Sequence, residues 1–113
     1  MLAAFEKEWT GLGLGDAELR ELQYHLLINP EAGDVIPGLS GARKLRVPLA
    51  GRGKSGGARV IYVDIVVREK IYFLAVYAKN AQENLTSKQK RELSQMVEHI
   101  KKKEESFNAE KLL

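Results

Sequence analysis

The segment from Ala58 to Val67 constrains the fold of this chain more than any other. It reads ARVIYVDIVV and is rich in Val, Ile and Tyr, which are among the residue types most enriched in β-strands. Apolar side chains occupy both of its alternating faces, as is typical of a central strand. The sequence therefore predicts a β-sheet in which this strand lies in the interior.

Further strands are predicted on either side of the central one. Residues 42–47 alternate in character, so Lys44 and Arg46 share one face of their strand while the residues between and around them share the other. Residues 71–78 return as an antiparallel partner after a charged turn, and residues 35–36 form one short extended piece. We expect three to four antiparallel strands.

Two helices are predicted before the sheet. Residues 3–9 have apolar side chains at helical spacing, and a glycine-rich turn follows them. Asp16 is the predicted N-cap of a second helix, which Asn29 and Pro30 end because the residue before a proline avoids the α conformation. The two helices are expected to form an antiparallel hairpin.

A third helix is predicted after the sheet. Thr86 and Gln89 have the spacing of a capping box at its start, and the charged residues 101–113 are predicted to be frayed helix or disordered. The fold class is therefore α+β, with an N-terminal helical hairpin, a three- to four-stranded antiparallel sheet and a C-terminal helix. The length of the chain predicts a single domain spanning residues 1–113. We expect the helices to pack on an inner face of the sheet and the cations to occupy an outer one.

The composition excludes several classes of protein. The 113 residues include no cysteine, which rules out disulfides, thiolate metal sites and cysteine nucleophiles. No apolar run approaches the length of a membrane span, and the N-terminus lacks the pattern of a secretory signal, so we expect a cytoplasmic protein. His25 and His99 lie on different predicted helices without further ligands nearby, so we expect neither a metal nor another cofactor.

The net charge of +3 is unevenly distributed along the chain. Residues 1–40 hold two cations and seven acids, whereas residues 41–80 hold nine cations and two acids. The interval 43–62 holds six cations and no acid: Arg43, Lys44, Arg46, Arg52, Lys54 and Arg59. A cation cluster mounted on a sheet predicts a polyanionic partner, for which RNA or DNA is the main candidate.

The glycine-rich loop at residues 51–57, GRGKSGG, does not meet the requirements of a nucleotide-binding phosphate loop. That motif needs a glycine at position 48, where this chain has Pro48, and a helix after Lys54, where a strand is predicted. We interpret Arg52 and Lys54 as cations of a solvated loop that contacts nucleic-acid backbone.

Four cations lie where three neighbouring predicted strands could bring them together: Lys44 and Arg46 on the first, Arg59 at the start of the second and Lys79 just after the third. Metal-free RNA cleavage needs a base for the 2′-hydroxyl, cations for the charge on the phosphate and a proton donor for the leaving 5′-oxygen. Lysines beside other cations and arginines that hold phosphate could supply these functions. Electrostatic binding without chemistry is the alternative, and composition alone favours it. Asp64, in the central strand, is interpreted as an edge-facing or ion-paired carboxylate in preference to a catalytic one.

Three segments of the chain form a recognisable series by their order and spacing: GDVIPGLSGARKLRVPLAGRGKSGGARVIY at 33–62, IYFLAVYAKN at 71–80 and LTSKQKRELSQMV at 85–97. Together they resemble the RelE/HigB superfamily of bacterial toxins. The similarity covers residues 16–100 and is closest to the HigB-type branch of the superfamily. It implies a RelE-like fold.

The resemblance also implies a function, namely a toxin that acts as a ribosome-dependent mRNA endonuclease. Such a toxin cuts message in the 30S A site and is neutralised by a cognate antitoxin, here a HigA-like one. By motif, the residues matching the catalytic cations of the family are Lys44, Arg46, Arg59 and Lys79. The predicted RNA-binding residues are Arg43, Arg52, Lys54 and Tyr77. Some relatives carry a tyrosine near the C-terminal end and a further arginine after the last strand, and residues 80–86 have neither, so the resemblance does not assign the general acid and base.

Two alternatives stay open at this point. A growth inhibitor of the same fold directed at gyrase, as in ParE-type relatives, would use the scaffold without cutting RNA. A plain nucleic-acid-binding module would bind naked RNA with a steep salt dependence and leave ribosome-bound message intact. The acidic N-terminal third and the helix at 86–100 are the predicted contact surfaces for an antitoxin.

Overall fold

The predicted sheet is present, and every pair of neighbouring strands in it is antiparallel. The computed structural model describes residues 3–49, 57–65, 70–79, 81–82 and 84–112, with side chains from residue 4 to residue 104 within these ranges. The strands follow one another in chain order across the sheet. They are β1 (Asp34–Val35), β2 (Arg43–Val47), β3 (Ala58–Ile65) and β4 (Lys70–Ala78). The strand singled out by the sequence, β3, is an interior strand as predicted.

Three helices accompany the sheet: α1 (Ala3–Gly11), α2 (Asp16–Ile28) and α3 (Ser87–Leu112). The prediction that Asp16 caps α2 is wrong by one residue, because Gly15 is the N-cap and Asp16 is the first helical residue. The Gly15 N–H donates to the carboxylate of Glu18 at 3.0 Å, which satisfies the orphan donor without a capping side chain. None of these helices, over the residues that the structure describes, combines the length and hydrophobicity needed to cross a membrane.

The start of α3 is the capping box that the sequence predicts. The Gln89 N–H donates to the Thr86 hydroxyl at 3.1 Å, and the Thr86 N–H donates to the Gln89 side-chain oxygen at 2.9 Å. The helix then continues past residue 101, where the sequence predicts frayed helix or disorder. Its physical anchor is Glu104, which is buried and accepts hydrogen bonds from the Tyr72 hydroxyl and from the Lys70 ammonium.

Helices cover both faces of the sheet. One cluster packs side chains of α1 and α2, including Phe5, Trp9 and Leu26, against the face that carries Val60 and Tyr62. A second cluster packs α3 on the opposite face through Leu93, Val97 and Ile100, which meet Ile61, Val63 and Ile65. The prediction that the cation-bearing face lies free of helices is therefore wrong. The cause lies in β3 itself, since a strand that is apolar on both faces needs a cover on each.

The connection between α2 and β1 is fixed to the sheet by one buried phenol. Tyr62 is fully buried; its hydroxyl donates to the Pro30 carbonyl at 2.7 Å and accepts from the Gly33 N–H at 3.0 Å. Gly33 has to be glycine here, because a Cβ would lie 2.9 Å from the Lys44 carbonyl oxygen and 3.0 Å from the Tyr62 ring. This contact holds the loop against β2, whose other face presents the candidate site.

Candidate functional site

The register of the sheet brings two predicted cations and a tyrosine into one row. Arg46 of β2 lies directly opposite Arg59 of β3, and Arg59 lies directly opposite Tyr77 of β4. Residues opposite one another in antiparallel strands share a face, with Cβ atoms about 5 Å apart. We call Arg46, Arg59 and Tyr77 the arginine row. It crosses three strands on the face that α3 covers further along.

Lys44 lies on the same face as the arginine row, two residues before Arg46 in β2. It is opposite Ile61 on one side and Asp34 of β1 on the other, so its own row contains a carboxylate. A cavity of about 280 Å³ beside Lys44 is also lined by Asn84 and by Lys90 of α3. Lys90 was not among the predicted site residues. The capping box does place it within the first two turns of α3, but only the packing of that helix on the sheet brings it to Lys44.

Lys79 lies one residue past the end of β4. Its N–H donates to the Gly57 carbonyl at 3.0 Å, which ties it to the residue preceding β3. Gly57 tolerates no side chain, because a Cβ would lie 2.8 Å from the Val47 carbonyl oxygen at the end of β2. The ends of three strands are therefore drawn together, and the backbone of Lys79 is held at the same end of the sheet as Arg59.

Arg43 does not join the other cations. It lies opposite Tyr62, on the face towards α1 and α2, and its guanidinium donates to the Gly33 carbonyl at 2.8 Å and to the Glu31 carbonyl at 3.3 Å. In this structure Arg43 supports the loop before β1 and contributes nothing to the face of the arginine row. The predicted loop cations Arg52 and Lys54 lie outside the described residues.

Tyr77 has a neutral and unpartnered hydroxyl. Its ring packs against the hydrophobic cluster under α3, and its oxygen is shielded from solvent with no hydrogen-bond partner among the described residues. Burial raises the pKa of Tyr77, and the neighbouring charge of Arg59 offsets part of that rise. The phenol therefore keeps its proton at neutral pH, in the strand position next to Arg59.

Tyr77→Phe should stabilise the protein or leave its stability unchanged. The buried hydroxyl lost water on folding and gained no partner, a loss that typically costs about 1–3 kcal/mol. Removing it leaves the ring packing in place, so we expect the free energy of unfolding in urea to rise by up to about 1 kcal/mol. A loss of stability above that size would show that the hydroxyl has a partner in solution.

Asp64 lies on β3, on the side of the sheet that Tyr62 faces. Its carboxylate is half-buried and is not part of the face that carries the arginine row. Burial raises the pKa of Asp64 above its usual 3.8, while the positive charge of Arg43 opposes the rise and Glu31 adds to it. Asp64 therefore lies away from the predicted chemistry, but on an interior strand and not at an edge of the sheet.

Asp64→Asn should raise stability at neutral pH. Because the folded pKa of Asp64 is raised, the ionised carboxylate disfavours folding above that pKa, and the penalty disappears as the pH falls through it. The gain in melting temperature from Asp64→Asn should therefore be present at pH 7 and vanish towards pH 4. An equal gain at both pH values would mean that ionisation is not its cause.

No group of three or more His, Asp and Glu side chains, among the residues that the structure describes, is placed to hold a metal ion. His25 and His99 are both exposed, on α2 and α3 respectively. The chemistry that this part of the chain offers is that of guanidinium, ammonium and phenol groups on one sheet face.

A comparison with protein families places this chain. The family model described as the RelE toxin of the RelE / RelB toxin-antitoxin system matches residues 33–112. The match covers most of the chain and includes all four strands and the whole of α3. A toxin of this kind has an antitoxin as its partner. The chain belongs to the RelE toxin family and is the toxin of a toxin–antitoxin system.

Proposed function

We propose that this toxin arrests translation by cutting mRNA on the ribosome, with the arginine row as the centre of its active site. The observation that carries the proposal is the register that places Arg46, Arg59 and Tyr77 side by side on one face. Lys44 and Lys79 flank the row, and together these residues provide the group types that metal-independent RNA cleavage requires.

The two arginines would bind the phosphate at the cleavage point. A guanidinium presents several N–H donors in a planar fork that matches phosphate oxygens, and it stays protonated throughout the reaction. Strands about 4.8 Å apart put the two guanidinium groups within reach of the same phosphate. Their charge would stabilise the extra negative charge that develops on phosphorus as the 2′-oxygen attacks.

The proposed reaction consists of one substitution at phosphorus. The 2′-hydroxyl gives up its proton to a base, the 2′-oxygen forms a bond to phosphorus, and the bond to the 5′-oxygen breaks. The leaving 5′-oxygen takes up a proton, so the products are a 2′,3′-cyclic phosphate and a 5′-hydroxyl. Lys44 and Lys79 are the candidates for the two proton transfers.

The proposed substrate is mRNA held in the 30S A site. The arginine row spans three strands, about 10 Å, which is enough to hold one phosphate and too little to align an extended RNA. Positioning by the ribosome would supply the alignment that in-line attack requires. The HigB-type branch, a HigA-like antitoxin and cytoplasmic action accompany this proposal as predictions from the sequence.

Induction of the toxin in cells tests the proposal. Primer extension on abundant messages should show new 5′ ends at codon positions within minutes, and Arg46→Ala should remove them. A gyrase-directed inhibitor of the same fold would instead produce broken DNA and intact message. Growth arrest with unaltered message would therefore contradict the proposal.

A further inference from the structure

The outer face of α2 carries an apolar patch that the fold leaves uncovered. Four large hydrophobic side chains are exposed in the part of the chain that the structure describes. Three of them belong to α2 and lie in a single stretch of five residues. Tyr24 is 66% exposed, Leu27 75% and Ile28 67%. We call these three residues the α2 ridge. Exposed apolar side chains grouped in this way mark interaction surfaces more often than singly scattered ones do.

The surroundings of the α2 ridge are acidic. Between Asp16 and Val35 the chain has five carboxylates, all of them exposed, against one cation, Arg20. Glu21 lies one helical turn before Tyr24, and Glu31 follows the end of α2 by three residues. A partner that buries the ridge would therefore meet a negative rim, so the surface fits an apolar segment bordered by Lys or Arg.

A groove runs beside the ridge towards the sheet. It has a volume of about 340 Å³ and lies between α2 and β2, with Leu22, Leu45 and Val47 among its apolar lining and Glu18 and Glu21 along one wall. In the described residues β1 pairs only with Arg43 and Lys44, so the outer backbone edge of β2 beyond residue 44 has no strand beside it. A segment seated in this groove would lie next to Arg46, which also lines it.

The acidic rim excludes two other occupants of the ridge. Ribosomal RNA is a polyanion and would be repelled by the carboxylates that surround the patch. A second copy of this chain, related by a twofold axis through the ridge, would bring two sets of the same carboxylates together. A cationic protein segment suffers neither penalty.

We propose that the α2 ridge and the adjoining groove bind an apolar, positively charged segment of the antitoxin. This inference uses the antitoxin that the family implies and does not depend on mRNA cleavage as the toxin's activity. The contact lies on the layer of the molecule opposite α3, and Arg46 is among the residues that line the groove. The antitoxin would thus bind a surface outside the arginine row and would come next to Arg46, the member of the row that lines the groove.

Binding of the purified toxin to the antitoxin encoded in the same operon tests this proposal directly. Leu27→Ser should weaken the affinity about tenfold or more, because the free energy of burying a leucine is lost. The triple variant Tyr24→Ser, Leu27→Ser and Ile28→Ser should weaken it by at least about a hundredfold. Thr10→Ala, at an exposed position on α1, is the control and should bind like the unchanged protein.

Charge reversal and toxicity provide the second readout. Glu21→Lys should weaken binding and reduce its dependence on salt, whereas growth arrest without antitoxin should be unchanged in every ridge variant. The proposal would be overturned if the triple variant bound the antitoxin within about threefold of the unchanged protein. It would also be overturned if the variant lost only self-association or only toxicity, which would assign the ridge to a second copy or to the ribosome.

Discussion

Arg59→Ala should lower the rate of RNA cleavage at least about a hundredfold, the typical loss when a preorganised electrostatic donor is removed. Arg59 is at the centre of the arginine row, with Arg46 on one side and Tyr77 on the other. Among the described residues its guanidinium has one hydrogen bond, to the Ala58 carbonyl at 3.3 Å, and no carboxylate partner. Its charge is therefore available to a phosphate, and its loss should leave the fold intact.

The measurement is single-turnover cleavage of message on programmed ribosomes, with thermal unfolding as the check on folding. Arg20→Ala is the matched control, because it removes an exposed arginine from α2, in the layer on the other side of the sheet. We expect Arg20→Ala to cleave like the unchanged toxin. If both variants lost activity equally, net positive charge would matter and the position of Arg59 would not.

Tyr62→Phe should lower the free energy of unfolding by about 2–4 kcal/mol, because the Pro30 carbonyl and the Gly33 N–H would each lose their hydrogen bond to the Tyr62 hydroxyl. The Tyr62 hydroxyl is the donor to the Pro30 carbonyl and the acceptor from the Gly33 N–H. The ring would stay in the core after substitution, but the buried Gly33 N–H would lose the hydroxyl that accepts its hydrogen bond. The loop between α2 and β1 should then open before the rest of the protein.

Chemical denaturation measures this effect, and Tyr77→Phe is its matched control. Both substitutions remove one hydroxyl from a tyrosine on the same sheet, but only the Tyr62 hydroxyl is bonded to described residues. The two variants should therefore change stability in opposite directions, or Tyr77→Phe should change nothing. Equal losses would contradict the assignment of the loop's stability to the Tyr62 bridge.

Much of the fold could be predicted from local sequence pattern. The alternation in residues 42–47 places Lys44 and Arg46 on one face, and the spacing of Thr86 and Gln89 marks the start of α3. Both signals act within a few residues, so no knowledge of distant contacts is needed. The apolar character of β3 on both faces was also visible, and it implies the two-sided cover that we did not predict.

The rest depends on contacts between residues far apart in the chain. Arg43 donates to the carbonyls of residues 31 and 33. These carbonyls are in place only because Gly33 is hydrogen-bonded to Tyr62, which lies 29 residues away in the sequence. That Lys90 lines the same cavity as Lys44 depends on how α3 packs on the sheet. The length of α3 depends in the same way on Glu104 reaching Tyr72 and Lys70. None of these partners can be inferred from periodicity or charge alone.

The central claim is that the arginine row cuts ribosome-bound message by attack of the 2′-hydroxyl. Its most direct test uses purified toxin with ribosomes programmed with a defined mRNA, beside the same mRNA alone, and determines the chemistry of the new ends. We predict one cut in the A-site codon, a 2′,3′-cyclic phosphate on the upstream fragment and no cut in the free message. Intact message on the ribosome, or equal cleavage of free RNA, would contradict the account.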